Sequence, residues 1–307
     1  MRVFAYGRNE SRATLYAGRM RRTVRAGVID QRDRATKRRR DRGLEPATSP
    51  SAHDALRTLI DTLDGEVDPN AFLRASSKID LAPAERLRVL AIEREFALPF
   101  DALKRIYERA IALDPDAPWV YASFGIAASE HARLTDDEGV AAQRHRIAIA
   151  QLERATAMAP EDAGIAAALG LAKYVDPSQG AENALSALNR ALQLDPSQPW
   201  ACLYRAHALH DLGRWGEAAD AYAGVPKASF DGPRSWRMHL LVEQRAWCRL
   251  QSGDRAGALE DFERILGRYE AQLHLAQWGD LQYAKMAAKE QLPELKARVE
   301  TLNMQHL

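Results

Sequence analysis

Two cysteines, Cys202 and Cys248, are too few for a disulfide framework or a four-cysteine metal site. Aromatic residues make up only 7% of the 307-residue chain. Val and Ile are few, and no stretch sustains the alternating apolar and polar pattern of a half-buried strand. No apolar run approaches the roughly 20 residues that a membrane helix needs; Ile165–Ala172 is only eight residues long. The opening MRVFAYGRNESR lacks the apolar stretch of a secretory signal. The expectation is a chain with no membrane span and a cytoplasmic address.

Bulk charge is also lacking. Lys and Arg number 43 against 42 Asp and Glu, a formal net charge of +1. That balance hides an asymmetry, because residues 1–43 hold 14 Lys/Arg against 4 Asp/Glu, a net +10, so the rest of the chain carries −9. No phosphate-cradling G-x-x-x-x-G-K-[ST], no G-x-G-x-x-G, no H-E-x-x-H and no G-x-S-x-G occurs. Nothing in the pattern assembles a catalytic constellation or a cofactor site, so the expectation is a non-enzyme without cofactor.

What is abundant is helix-forming material: Ala, with Leu, Glu, Gln and Arg. Arg outnumbers Lys 35 to 8, which reads as base composition and not as chemistry. The chain is expected to be nearly all α. Residues 1–50 have few large apolar groups and end in Pro46-Ala-Thr-Ser-Pro50, so a basic, disordered tail is expected there. A short helical lead-in over 51–82 follows, with Ser51 as a helix N-cap and a further short helix at 68–75.

From Pro83 onward one phrase recurs: ERAIALDP (108–115), ERATAMAP (153–160) and NRALQLDP (189–196). Each ends a helix at proline and carries an Ala five residues before it: Ala110, Ala155 and Ala191. Tyr107, Leu152 and Leu188 lie three residues earlier, and Leu103, Ala148 and Ala184 four earlier again. That spacing keeps one helix face apolar. Ala218, Tyr222, Val225 and Ala258, Phe262, Ile265 continue the ladder. Each such helix follows another with a small residue in a fixed slot: Ala91, Gly125, Gly170, Ala206 and Ala246. The breaks in register fall at Leu134–Gln143 and Asp176–Gly180, where turns are expected.

This register resembles the tetratricopeptide repeat family, which pairs two antiparallel helices in about 34 residues. Gly213-Arg-Trp215-Gly-Glu-Ala218 and Gly253-Asp-Arg-Ala-Gly-Ala258 match its inter-helix turn. Five repeats are counted, about 84–117, 118–162, 163–198, 199–232 and 239–272. Arg205 and Arg245 stand where the family has Leu; Arg94, Lys173 and Arg249 stand where it favours an aromatic or apolar group. The resemblance implies an all-α, right-handed superhelical solenoid over 83–272. The remainder, 273–307, reads as capping helices whose second opens at Pro293 and carries Leu292, Leu295, Val299 and Leu302.

In function, the resemblance implies a scaffold whose concave groove holds a peptide or helix of another protein. Mapping the family's groove places through the small-residue register gives Ile126, Ser129 and Glu130 in the second repeat. It gives Leu171, Tyr174 and Val175 in the third, Trp200, Leu203, His207, His210 and Asp211 in the fourth, and Glu243, Trp247, Leu250 and Gln251 in the fifth. The set mixes aromatics, imidazoles and acids without Lys or Arg, which favours an apolar or basic peptide over an acidic one. Tyr174 and Trp247 are the expected anchors; the alternative for each is packing inside the molecule. His207 and His210 share a helix face as a metal half-site would, but no spacing proposes a third ligand, and no metal is expected.

The tail carries the other candidate set, Arg21, Arg22, Lys37, Arg38, Arg39, Arg40 and Arg42. Clustered cations release counterions from polyanions, so the tail is a candidate contact with nucleic acid or an anionic membrane surface. The alternatives are a solvated extension, a targeting segment or a mis-assigned start. With the tail as electrostatic anchor, the array would serve a nucleic-acid-associated regulator.

Overall fold

The computed structural model describes residues 50–226, 235–274, 293 and 296–304. The Arg-rich segment with its candidate residues Arg21 to Arg42 lies outside the described residues, as does most of the expected cap between 275 and 292. Every regular element among the described residues is helical. The helices are α1 (Pro50–Asp61), α2 (Pro69–Ala75), α3 (Pro83–Glu93), α4 (Phe100–Leu113), α5 (Pro118–Arg133) and α6 (Glu138–Met158). They continue as α7 (Ala163–Val175), α8 (Gly180–Leu194), α9 (Pro199–Asp211), α10 (Trp215–Ala223), α11 (Ser235–Ser252) and α12 (Arg255–His274). Residues 296–304 are helical as well.

Proline and aspartate place the ends. The three recurring phrases stop α4, α6 and α8 in the same way. The residue before each proline cannot comfortably stay helical, and Asp114, Ala159 and Asp195 all leave the helical region, at φ −145, −132 and −141. Pro69, Pro83, Pro118 and Pro199 then sit in the first turn of the helix they open, where a missing N–H costs nothing. Side chains of Asp68, Asp137 and Asp162 accept a first-turn backbone N–H at 2.7, 3.0 and 2.9 Å. Gly213 and Gly253, in the two matching turns, adopt φ of +69 and +92, which a side chain would resist.

The ladder residues are the core. Leu103, Ala148, Leu152, Ala184, Leu188, Ala218, Ala258 and Phe262 are fully buried, and Tyr222 and Ile265 nearly so. The small slots work as expected from close helix approach. A Cβ on Gly125 would lie 2.6 Å from Leu152 Cγ, and one on Gly170 would lie 2.6 Å from Leu188 Cγ. Helix pairs α3–α4, α5–α6, α7–α8, α9–α10 and α11–α12 pack face to face, and first helix also touches first helix at α3–α5 and α7–α9.

The chain forms two compact units, one through Pro160 and one from Glu161. In the first, the lead-in packs onto the first pair: Leu56, Ile60 and Phe72 share a core with Leu87, Leu90, Leu103 and Ile106. Arginines tie it down. Arg86 donates to the Ser76 carbonyl at 2.5 Å, Arg94 to the carbonyls of Leu63 and Gly65 at 2.5 and 3.1 Å, and Arg57 to Glu93 at 3.1 Å. Arg94 thus uses its unusual repeat place to close off the end of α1. In the second unit, Val299 and Leu302 join the core of α7–α12.

One expectation needs correcting. The extra residues at 134–143 are not all turn. Only 134–137 connect, and Glu138–Gln143 lengthen α6 at its start. Asp137 caps the helix, Glu138 follows in the favourable first turn, and Ala141, Ala142 and Gln143 are good helix formers. The segment is therefore not uniformly tolerant of substitution, because Asp137 caps α6. Asp137→Ala should cost about 1 kcal/mol, read as a lower urea midpoint, while Asp136→Ala, exposed and outside the cap, should leave the midpoint unchanged.

Candidate partner-binding face

Two first helices of the second unit, α7 and α9, lie against each other. Tyr174 stands near the end of α7. Tyr204, His207 and Asp211 recur at helical spacing along α9 and so share a face. The Tyr174 hydroxyl donates to Asp211 Oδ2 at 2.8 Å. The Tyr174 ring stacks on His207 (6.1 Å between centroids, 25°) and meets Tyr204 edge-on at 5.4 Å. His207 Nδ1 shares a 2.7 Å hydrogen bond with the hydroxyl of Tyr222 on α10. Trp200 stacks on Tyr204 at 6.1 Å, and His210 meets Trp215 edge-on at 5.3 Å. Offset and edge-on ring pairs of this kind add stability beyond the area they bury.

The electrostatics follow from burial and from these bonds. Burial pushes the Tyr174 phenol up, and the neighbouring Asp211 carboxylate pushes it further. Tyr222 is raised chiefly by burial. Both therefore stay protonated donors. Burial opposes ionisation of Asp211, but hydrogen bonds from His210 and Tyr174 outweigh it and hold its carboxyl below the ordinary value. Tyr174→Phe keeps the ring contacts and removes one of those bonds. It should raise the Asp211 pKa, followed by carboxyl NMR, and cost about 1 kcal/mol. An unmoved Asp211 pKa would mean that the bond does not form in solution.

The other expected groove residues are placed unequally. Leu203 is buried in the core at 3% exposure, which leaves it nothing to offer a partner. The reason is register: on α9 it faces the same interior as Ala206. Leu171 and Leu250 are half-buried against that core. Trp247 is engaged within the molecule, with the Arg298 guanidinium 5.3 Å from its ring and 5.2 Å from Phe262. Glu243 is half-buried and Gln251 exposed on α11. Ile126 and Glu130 belong to the first unit, where Glu130 pairs with Arg133 at 3.3 Å. Among the described residues, no three or more His, Cys, Asp or Glu groups gather as metal ligands. His207 and His210 turn to different partners, Tyr222 and Asp211.

Tyr204 and Tyr222, both buried, support this face from beneath and were not among its expected members. Tyr204 lies three residues before His207, and helical spacing alone puts the two rings together. Tyr222 reads only as a core ladder residue, because nothing in a single sequence tells that a buried ring sends its hydroxyl to an imidazole.

Residues 181–240 match the family model "Tetratricopeptide repeat". No curated protein matches the chain. Among solved structures, the chain is similar to YrrB, described as "a TPR protein with an unusual peptide-binding site". The identity is 18% and the TM-score 0.47, over 71% of this chain and 98% of that one. It is also similar to TTC0263, a thermophilic TPR protein of Thermus thermophilus, at 17% identity and TM-score 0.43, over 72% of this chain and 99% of that one. Among the described residues no helix is long and apolar enough to cross a membrane.

Proposed function

We propose, from the repeat register and the match of residues 181–240 to the tetratricopeptide repeat model, that this chain is a non-catalytic scaffold that binds a peptide or helix of a partner protein along its first helices. The binding region is the α7–α9 face, extended by Glu243 and Gln251 on α11. What supports this reading most is the single surface of rings and one carboxylate formed by Tyr174, Trp200, His207, His210 and Asp211. Tyrosine and tryptophan contribute large, rigid contact areas at low entropic cost. We place the anchor at Tyr174, which borders the half-exposed carboxylate of Asp211, while Trp247 carries Arg298. The bound segment is apolar or basic.

The test is selection of peptides from a displayed random twelve-residue library on the immobilised full chain. Affinities follow by fluorescence anisotropy for the wild type, His207→Ala and Asp211→Lys, with circular dichroism to confirm folding. Loss of affinity in both folded variants is expected. Unchanged affinity in both would move the binding region elsewhere.

The net +10 of residues 1–43 supports a second, separate contact with a polyanion. Duplex DNA binding by the full chain should weaken steeply with salt. Replacing Lys37, Arg38, Arg39 and Arg40 by Ala in the full chain should flatten that slope; an unchanged slope would remove the tail from the interaction.

A further inference from the structure

Several carboxylates of this protein are matched with its own arginines. Glu85 takes Arg88, Glu93 takes Arg57, Glu161 takes Arg190 and Glu217 takes Arg214. Asp261 takes two, Arg245 and Arg249. Asp211 is organised differently. Its Oδ2 accepts from the Tyr174 hydroxyl at 2.8 Å and its Oδ1 lies 3.2 Å from His210 Nδ1. Among the described residues no Lys or Arg pairs with it, and its side chain is 49% exposed. Two side-chain donors therefore hold the carboxylate in a fixed orientation, and no arginine or lysine among the described residues takes its remaining positions.

Each carboxylate oxygen has room for a second hydrogen bond. The free positions lie on both oxygens, which suits a two-pronged donor more than a point charge. The surroundings fit the same donor. Tyr174 is stacked on His207 and edge-on to Tyr204, so aromatic rings adjoin the acid. A guanidinium, being planar and weakly hydrated, lies on such rings. The chain's own arginines do so elsewhere: Arg144 on Phe100 at 4.9 Å and Arg154 on Tyr121 at 4.6 Å.

We propose that Asp211, oriented by Tyr174 and His210, is a receptor for one arginine side chain of the partner segment. The inference rests on the peptide-binding reading above and narrows it from an apolar or basic segment to one with an arginine at a fixed place. The forked guanidinium takes the free positions on both Asp211 oxygens and lies against the Tyr174 side of the face.

The test uses peptides selected on the full wild-type chain from the displayed twelve-residue library. The expected result is arginine at one shared position. Changing that arginine to citrulline, which keeps the shape and loses the charge, should weaken binding roughly tenfold or more, because one partner of a charge-assisted pair is gone. Lysine at that position should recover only part of the loss. In Asp211→Asn, which preserves size and an acceptor for Tyr174, arginine and citrulline peptides should bind alike.

Equal wild-type affinities for arginine and citrulline peptides would overturn the proposal. So would a full arginine preference that survives in Asp211→Asn, or a lysine peptide as tight as the arginine one. Selected peptides without arginine whose binding is lost in His207→Ala would sink the Asp211 assignment and leave the binding face standing. Failure to select any peptide would sink both.

Discussion

Gly170→Ala is expected to destabilise the second unit although alanine is the better helix former. In an open helix the change would add up to about 1 kcal/mol of stability. Here the new Cβ would lie 2.6 and 2.7 Å from Leu188 Cγ and Cδ2 and 3.0 Å from the Leu188 backbone nitrogen. Leu188 is fully buried among α7 and α8 residues, so its side chain has little room to move, and the backbone has less. The net cost should be about 1–3 kcal/mol, and Gly170→Leu should exceed it. Gly267, in the interior of α12, has nothing within 4 Å of its virtual Cβ. Gly267→Ala should therefore stabilise by a few tenths to about 1 kcal/mol. Urea unfolding of the three variants reads both signs; stabilisation at Gly170 would mean that the α7–α8 approach is looser than described.

Asp261→Ala is the substitution with the largest expected loss, about 3–5 kcal/mol. Its carboxylate is almost completely buried and accepts from Arg245 Nη2 at 2.5 Å, Arg245 Nε at 2.8 Å and Arg249 Nη1 at 2.9 Å. The bonds to Asp261 outweigh partial desolvation and hold the Arg245 guanidinium even more firmly protonated than usual. Without Asp261, two cations would face a poorly hydrated space. Removing Arg245 at the same time reverses much of the penalty, because the cost comes from the orphaned charge and not from the loss of the pair itself. Arg245→Leu with Asp261→Leu should recover most of the stability, since Arg249 keeps Asp254 at 3.5 Å and the Gly257 carbonyl at 3.2 Å. A double variant as unstable as Asp261→Ala would show that the ion pair is itself a net contributor.

These two sites also mark what a sequence does and does not disclose. Gly125 and Gly170 are legible because close helix approach excludes side chains, and that demand recurs in each pair at the same slot. The three proline-stopped phrases are legible because proline acts on its immediate neighbour. Side-chain partnerships across helices are not local in this way. Arg245 is conspicuous at a place meant for Leu, yet nothing in the chain says that it reaches Asp261 on the facing helix, while Arg205 reaches Asn189 at 2.9 Å on the preceding repeat. The start of α6 escapes for a different reason. Thr135-Asp-Asp-Glu138 has the composition of a turn, and the same aspartate serves as a helix cap. Of the candidate face, the α9 residues follow from register. The pairing of Tyr174 with Asp211 depends on how α7 and α9 meet, and the loss of Trp247 to Arg298 depends on where the last helix comes to rest.

The central claim is that partner segments bind along the α7–α9 face. The most direct measurement is a titration of the isotope-labelled full chain with a library-selected peptide, followed by backbone amide NMR. The account predicts shifts concentrated at Tyr174, His207, His210 and Asp211, with Gln251 responding and the exposed Asp220 and Glu260 on the second helices unmoved. Shifts confined to the second helices, with Tyr174 and Asp211 silent at saturation, would contradict it.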